Sequence, residues 1–385
     1  MISRRRFGVL LGASSLAVAS PALAHPVIVG RYREIPFGID PAHPHPISRG
    51  DRRRTGRMRG AVPAERPSLV WQVDLRSRTP RGPILSADGT LFIGTRDGLS
   101  AVTATGEVRW HLRLGHVYAA PTLMPGGDVV AVTAEGRVSV LSQDGVVLRG
   151  ADVHAGTRGS PLVLDDGSII VPTIDRRIHR LDANLREVSS SMVPDGSNRN
   201  DVSLVGRDTL AVASGRSLVL LGPRGRVLHQ VTLTGSATSA PLVADDGTLF
   251  VTTVEGVLHA IDPRGRVTSR TELGSRHYDA ACPVIGRDGG VRIPTLAAGL
   301  VCVGPSGTVR WSAANANGYQ AAASIDVHDV TLLVDRGGEV RAIGPDGTER
   351  WSIGLETFTY EAPVVAPDGT LYVTTERGGV RAYRA

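Results

Sequence analysis

The sequence predicts an all-β protein, a closed propeller of eight four-stranded blades over residues 69–385. Three observations support this prediction. Gly and Pro account for 46 and 24 of the 385 residues and aromatic residues for 4%, a composition typical of turn-rich β proteins. The chain repeats itself with a period near 40 residues. Asp-Gly pairs separate short apolar runs, which is the strongest short hairpin signal because a type I′ turn needs positive φ at both central residues.

The repeat gives the number of blades. The spacings between its units are 38, 40, 41, 39, 42, 41 and 39 residues. A period near 40 without helical patterning is typical of propeller blades rather than of helical solenoids. Each unit holds four short strand patterns, and the continuous apolar runs fit strands that are covered on both faces. The units begin at Pro83, Pro121, Pro161, Val202, Pro241, Pro283, Ser324 and Pro363.

The last unit reaches Ala385 after three strands, and the start of the repeat region supplies a fourth. Trp71 lies 12 residues before Pro83, just as Trp351 lies 12 residues before Pro363. Residues 69–75 therefore match the register of a fourth strand. We expect this segment to complete the last blade and close the ring, which removes free sheet edges.

The first 24 residues resemble a twin-arginine export signal. Ser3-Arg4-Arg5-Arg6-Phe7 precedes an uncharged stretch over 8–20, and small residues stand before a cleavage point after Ala24. An ordinary secretory signal with an additional arginine is the alternative. In both cases we expect a periplasmic or extracellular protein that is soluble after cleavage. No later run of about 18 apolar residues predicts a transmembrane segment.

Charge is unevenly distributed along the chain. Residues 1–24 carry +3, residues 25–68 carry +5 and residues 69–385 carry −2, within a net charge of +6. Because the propeller has no net positive field, we expect no binding of nucleic acid. All basic residues are arginines, so chemistry that needs a lysine amine is excluded.

Residues 25–68 are predicted to be a solvated, basic linker rich in Pro and Arg. Contact of the arginine run over 51–59 with anionic lipid is an alternative. A second alternative is a copper site, in which a new N-terminus at His25 acts with His43 and His45.

Three units share a longer motif that ends in tryptophan, at residues 98–110, 299–311 and 338–351. These segments resemble the tryptophan-docking repeat of the quinoprotein-like (PQQ-like) propellers, and the resemblance covers about 69–385. All four tryptophans of the chain stand at this register, which favours a packing role between blades. Other units depart from the motif, with Arg149, His229 and Ser269 in place of tryptophan.

The resemblance implies two classes of function. Quinoprotein dehydrogenases hold pyrroloquinoline quinone (PQQ) over a calcium ion in the propeller funnel, often with a vicinal Cys-Cys disulfide against the cofactor. This chain has no Cys-Cys pair, and its even spacing leaves no long insertions between blades. Its two cysteines, Cys282 and Cys302, are predicted to lie too far apart for a disulfide.

We therefore expect a non-enzymatic propeller without a cofactor, similar in type to the propeller subunit of the outer-membrane β-barrel assembly machinery. It would act as a monomer that binds an envelope protein or a small polar ligand, although this chain lacks that relative's lipidation cysteine. A PQQ- and calcium-dependent dehydrogenase that oxidises an alcohol or sugar is the alternative. The chain carries no zinc, nucleophile-elbow or dinucleotide motif.

The loops that enter the innermost strands are the most site-like feature of the sequence. Propellers place such loops around the central axis, and tyrosine recurs there in four units. A ring of hydroxyls, carboxylates and guanidiniums suits a polar ligand. The alternative is that the tyrosines only plug the axis or pack between loops. The candidate site residues are Tyr118, Arg158, Tyr278, Asp279, Tyr319, Gln320, Tyr360 and Glu361.

Overall fold

The computed structural model describes residues 43–194, 201–277 and 281–385. These residues form eight four-stranded antiparallel sheets, one for each predicted blade. The helical structure among them is a single 3-10 turn, Pro223–Gly225. The predicted all-β, eight-bladed propeller is therefore confirmed.

The first four blades follow one another along the chain, and each runs from its innermost to its outermost strand. Blade 1 contains β2 (Ile84–Leu85), β3 (Leu91–Thr95), β4 (Gly98–Val102) and β5 (Val108–Arg113). Blade 2 contains β6 (Thr122–Leu123), β7 (Val129–Val132), β8 (Arg137–Leu141) and β9 (Val147–Asp152). Blade 3 contains β10 (Leu162–Val163), β11 (Ile169–Pro172), β12 (Arg177–Leu181) and β13 (Glu187–Met192). Blade 4 contains β14 (Ser203–Leu204), β15 (Leu210–Ser214), β16 (Ser217–Leu221) and β17 (Val227–Thr232).

The second half repeats this order until the last blade, which takes its outermost strand from the start of the propeller. Blade 5 contains β18 (Leu242–Val243), β19 (Leu249–Thr252), β20 (Val257–Ile261) and β21 (Val267–Glu272). Blade 6 contains β22 (Val284–Ile285), β23 (Val291–Pro294), β24 (Leu300–Val303) and β25 (Val309–Ala313). Blade 7 contains β26 (Ser324–Ile325), β27 (Thr331–Val334), β28 (Glu339–Ile343) and β29 (Glu349–Gly354). Blade 8 contains β30 (Val364–Val365), β31 (Leu371–Thr374), β32 (Gly379–Arg384) and β1 (Ser68–Asp74).

The ring is closed by β1, which pairs antiparallel with β32. Trp71 lies opposite Ala382 and Asp74 lies opposite Gly379, with a bulge between Leu69 and Trp71. The strand predicted from the tryptophan spacing therefore completes the last blade. Closure joins the two ends of the propeller through backbone hydrogen bonds and leaves no gap between the first and last blades.

The hydrophobic core lies between neighbouring blades. In blade 1 the two middle strands are buried along their whole length, whereas the outermost strand alternates between exposed and half-buried positions. Phe92 and Leu99 of this blade pack in one cluster with Val129 and Leu141 of blade 2. Middle strands are thus covered on both faces, which explains their continuous apolar runs.

The four tryptophans connect adjacent blades, as predicted. Each indole N–H donates to a backbone carbonyl of the segment that precedes the outermost strand of the next blade, which is a turn in three cases and the end of the N-terminal segment before β1 for Trp351. The acceptor is Ala104 for Trp71 and Gln143 for Trp110, both at 2.9 Å. Glycine is required next to the indole ring of Trp71, because a Cβ on Gly106, whose φ is +90°, would lie 2.7 Å from that indole. The remaining acceptors are Pro345 for Trp311 and Pro63 for Trp351.

Two further features of the sequence can be compared with the structure: the two cysteines and the lack of a predicted transmembrane segment. Cys282 and Cys302 are both free thiols, as their predicted separation requires. Burial raises the pKa of the Cys302 thiol, which keeps it protonated and unreactive at neutral pH. Within the described ranges, no helix has the length and hydropathy needed to cross a membrane.

The prediction of a solvated linker is wrong for residues 43–63, which we call the axial strap. Ile47, Met58 and Val62 of the strap are 2–5% exposed, and Arg54 is 1% exposed. Within the arginine run, Arg52, Arg53 and Arg54 are therefore buried in the propeller, and Arg57 and Arg59 are half-buried. His43 and His45 belong to no metal-binding group of three or more side chains in the described part of the chain, and His25 lies outside it.

The strap makes one circuit of the propeller axis in blade order. His45 exchanges backbone hydrogen bonds with Leu85 of blade 1, and the Pro46 carbonyl accepts from Leu123 of blade 2. The circuit ends where Met58 donates its N–H to Ile325 of blade 7 and its sulfur accepts from Val365 of blade 8. The physical reason is that innermost strands leave one edge unpaired, and the strap supplies the missing partners.

Candidate functional site

The loop end of the axis, where loops enter the innermost strands, brings several predicted residues together. The Arg81 guanidinium donates to Glu361 at 2.8 Å and so joins the first blade to the last. Arg81 and Arg158 both lie over the Tyr118 ring, 5.6 and 5.2 Å from its centroid. These four residues form a polar cluster that we call the loop-end cluster. Arg158 is exposed and Tyr118 is half-buried, so the cluster is accessible from solvent.

The other predicted tyrosines have different surroundings. Tyr360 is half-buried and packs edge-on against Phe358 at 4.5 Å between ring centroids. Tyr319 is 1% exposed and belongs to a core cluster, and burial raises the pKa of its hydroxyl. Gln320, beside it, is half-buried. Tyr278 and Asp279 lie outside the described residues.

A buried carboxylate connects the loop-end cluster to the axial strap. Asp201 accepts the backbone N–H of Ser160 at 2.6 Å and lies 3.4 Å from the Arg54 guanidinium of the strap. Burial by itself would raise the pKa of Asp201, but the positive charges of Arg54 and Arg81 bring it below its usual value. Asp201 is therefore a stable anion between two cations, one from the strap and one from a loop.

At the opposite end of the axis, the strap arginines meet carboxylates from the turns that follow the innermost strands. Arg52 pairs with Asp165 of blade 3. Arg53 and Arg57 both pair with Asp245 of blade 5, at 3.2 and 3.0 Å. We call this side the turn end. Two carboxylates of the propeller thus offset part of the positive charge of the strap.

The space between the strap and the loops is small. A cavity of about 20 Å³ lies between strap residues, among them His45 and Arg49, and loop residues such as Glu361. This volume admits about one water molecule, which needs roughly 10–15 Å³ by the same measure. Sites for ligands of drug size occupy roughly 300–1,000 Å³.

The cavity between the strap and the loops does not fit PQQ. PQQ is a three-ring tricarboxylate, far larger than this cavity. Calcium takes 6–8 oxygen ligands, yet no group of three or more His, Cys, Asp or Glu side chains that could hold a metal ion occurs among the residues described.

Sequence reasoning missed three of the residues that organise the axis. Arg54 was assigned to a solvated linker, while Asp201 was not recognised as a site residue. Arg81 is absent from the candidate site residues, although it is the partner of Glu361. The available signal was the pairing of a segment of charge +5 with a propeller whose inner turns repeatedly carry Asp, as at Asp165 and Asp245.

Repeat, ring closure and tryptophan docking together define the class of fold: the chain is a closed, eight-bladed β-propeller whose repeats resemble those of the quinoprotein-like (PQQ-like) propellers. A sequence model of the family described as outer membrane protein assembly factor BamB matches residues 60–149 and 297–385. No curated protein sequence matches the chain.

Solved structures of two functional kinds share this fold. BamB from Moraxella catarrhalis is 17% identical, with a TM-score of 0.68 over 83% of this chain and 100% of that one. Quinohemoprotein alcohol dehydrogenase from Comamonas testosteroni is 13% identical, with a TM-score of 0.74 over 90% and 81% of the two chains. A europium-containing methanol dehydrogenase is 12% identical, with a TM-score of 0.73 over 87% and 89%. At these identities the likeness establishes the fold alone.

Proposed function

We propose that the protein is a non-enzymatic binding scaffold of the cell envelope that engages a protein partner through its loop-end cluster. The observation that carries this proposal is the filled axis, in which the strap and the Arg81–Glu361 pair leave a cavity of about 20 Å³. This packing of the strap along the propeller axis supports a scaffold rather than a dehydrogenase.

The loop-end cluster suits recognition of a partner's surface. Arg158 is exposed, and the face of Tyr118 holds two guanidiniums close together. Tyrosine and arginine are enriched at the energetic centres of protein interfaces, because both combine apolar area with directed hydrogen bonds. The family description and the Moraxella structure support the scaffold class, since both concern an outer-membrane assembly factor.

A cofactor titration tests the proposal against the dehydrogenase alternative. Purified protein incubated with PQQ and Ca²⁺ should show no saturable binding by calorimetry and no dye-linked oxidation of alcohols or sugars. Saturable binding accompanied by turnover would refute the scaffold.

A crosslinking experiment tests for the protein partner. A photo-crosslinking residue at Tyr118 should capture one defined envelope protein in cells, and Arg158→Ala should reduce the amount of this crosslinked product at least fivefold. The same crosslinker at Leu148, which is 49% exposed on β9, serves as the control.

We also propose that residues 1–24 direct export through the twin-arginine route. Arg4 and Arg5 form the arginine pair within the signal-like segment. Replacing both with lysine should leave the precursor inside the cell, because that route recognises the guanidinium pair rather than charge alone. Fractionation followed by immunoblotting measures the result. Undiminished export of this variant would assign the chain to the general secretory route.

A further inference from the structure

We propose that the turn end of the propeller axis is a binding groove for an extended, arginine-rich peptide, and that the axial strap is its resident ligand, supplied by the same chain. This inference concerns the opposite end of the axis from the loop-end cluster and does not depend on the scaffold function. Three features of the strap carry it: its backbone pairing, its charge pairs and its fit at two glycines.

The groove binds the backbone of the strap. The last residue of the innermost strand donates its N–H to a strap carbonyl in six blades, over distances of 2.7–3.1 Å. The strap nevertheless belongs to none of the eight sheets. Sheet edges commonly bind extended peptides in this way, with main-chain hydrogen bonds that give affinity independent of sequence. The six donors are Leu85, Leu123, Leu204, Val243, Ile285 and Ile325.

Charge pairs make the groove selective for arginine. Arg57 donates to both carboxylate oxygens of Asp245, to the Ile285 carbonyl at 3.1 Å and to the Gly286 carbonyl at 3.0 Å. These contacts use Nε and both terminal nitrogens of the guanidinium. The single ammonium group of lysine cannot reproduce this planar arrangement of donors. A peptide with arginine at these positions is therefore distinguished from one that is merely basic.

The strap approaches the propeller too closely for side chains at two positions. A Cβ at Gly56, whose φ is +74°, would lie 2.3 Å from Val284, and a Cβ at Gly60 would lie 2.0 Å from the Ala366 carbonyl. Beyond this contact, residues 64–66 are exposed and connect the strap to β1. The strap thus fits the groove closely and is tethered to the ring by a short exposed connection.

The experiment cuts that connection in the folded full chain. A specific protease site is inserted between Glu65 and Arg66, and the protein is cleaved after purification. We expect the N-terminal fragment to stay bound on size-exclusion chromatography and to exchange over hours with a fluorescent synthetic peptide of residues 43–63. Exchange should saturate at one peptide per propeller, as measured by fluorescence anisotropy.

Matched variants identify what is recognised. Arg57→Lys in the peptide should weaken binding about tenfold, which is the effect of losing one charge-assisted contact. Asp245→Asn in the propeller should weaken binding by more than this, because Asp245 pairs with both Arg53 and Arg57. Asp128→Asn, in the corresponding turn of blade 2, should leave binding unchanged. Equal binding of the Arg57→Lys peptide would overturn arginine selectivity. Three results would contradict the proposal of a peptide-binding groove. The cleaved fragment could dissociate at micromolar concentration, it could fail to exchange with the peptide, or its release could unfold the propeller.

Discussion

Replacing Asp201 with alanine should lower the free energy of unfolding by about 3–5 kcal/mol, the range seen when one partner of a buried ion pair is removed. The reason is that Arg54 is 1% exposed and its Nη2 already finds no hydrogen-bond partner among the described residues. Without Asp201, 3.4 Å away, the charge of Arg54 keeps only the weaker electrostatic influence of Asp51. The Ser160 N–H would lose its acceptor as well. Urea unfolding followed by circular dichroism measures the change.

A double-mutant cycle separates the pair from the general cost of altering a buried position. Arg54→Leu removes the buried charge, so the double variant with Asp201→Ala should be less destabilised than the sum of the two single variants. We expect a coupling energy of about 1–3 kcal/mol, as for other residues in direct contact. Additive effects, or a loss below about 1 kcal/mol for Asp201→Ala, would show that the pair does not fasten the strap to the loops.

The blades could be predicted because their physics is local and repeated. A turn such as Asp246-Gly247 specifies a hairpin by its own conformational preference, and eight repetitions identify the period even where individual units vary. The closing strand could be predicted for the same reason, since Trp71 and Trp351 occupy one register. Their shared role is visible in the structure, where each indole reaches the segment that precedes the next outermost strand.

The strap could not be predicted by the same means, because its partners are distributed over all eight blades. Proline, glycine and arginine in this segment are equally typical of solvated linkers, and no local pattern separates the two. Arg53, for example, has its carboxylate partner Asp245 at a separation of 192 residues. Only the assembled ring places the inner-strand edges and the turn carboxylates around one axis.

The candidate site was predicted in part for a related reason. Tyr118, Tyr319 and Tyr360 all lie in loops that enter innermost strands, but the tyrosine spacing does not give their exact register. The Tyr319 N–H donates to Thr295 as the Val117 N–H donates to Thr95. Tyr319 is in the core, whereas Tyr118 lies between two guanidiniums near solvent. The difference arises because Tyr319 stands one residue earlier in its loop than Tyr118 does, at the position of Val117, which is equally buried. Whether these residues bind a partner remains the prediction that the crosslinking experiment tests.

The stability of the folded protein should depend on pH through His45, which lies on the strap. Its side chain is 7% exposed, and its Nδ1 has no hydrogen-bond partner within the described residues. Burial, with the nearby charges of Arg49 and Arg59, lowers the pKa of His45 from 6.5 to about 4. Between these two values the unfolded chain binds a proton that the folded chain does not. Stability therefore falls as the pH is lowered from about 6.5 towards 4, and it changes no further from this group below 4.

The expected loss is about 3 kcal/mol in total, since each unit of pKa difference corresponds to about 1.4 kcal/mol. The measurement is urea unfolding at intervals between pH 7.5 and 4, for the native chain and for His45→Gln. His259 is also buried with a lowered pKa, so some slope should remain in the variant. The difference in the free energy of unfolding between the native chain and His45→Gln isolates the contribution of His45. This difference should be constant above pH 6.5 and should shift in favour of the variant as the pH falls. Parallel profiles would show that His45 takes up a proton in the folded state without cost, and that this part of the strap is not held in a dry environment at the axis.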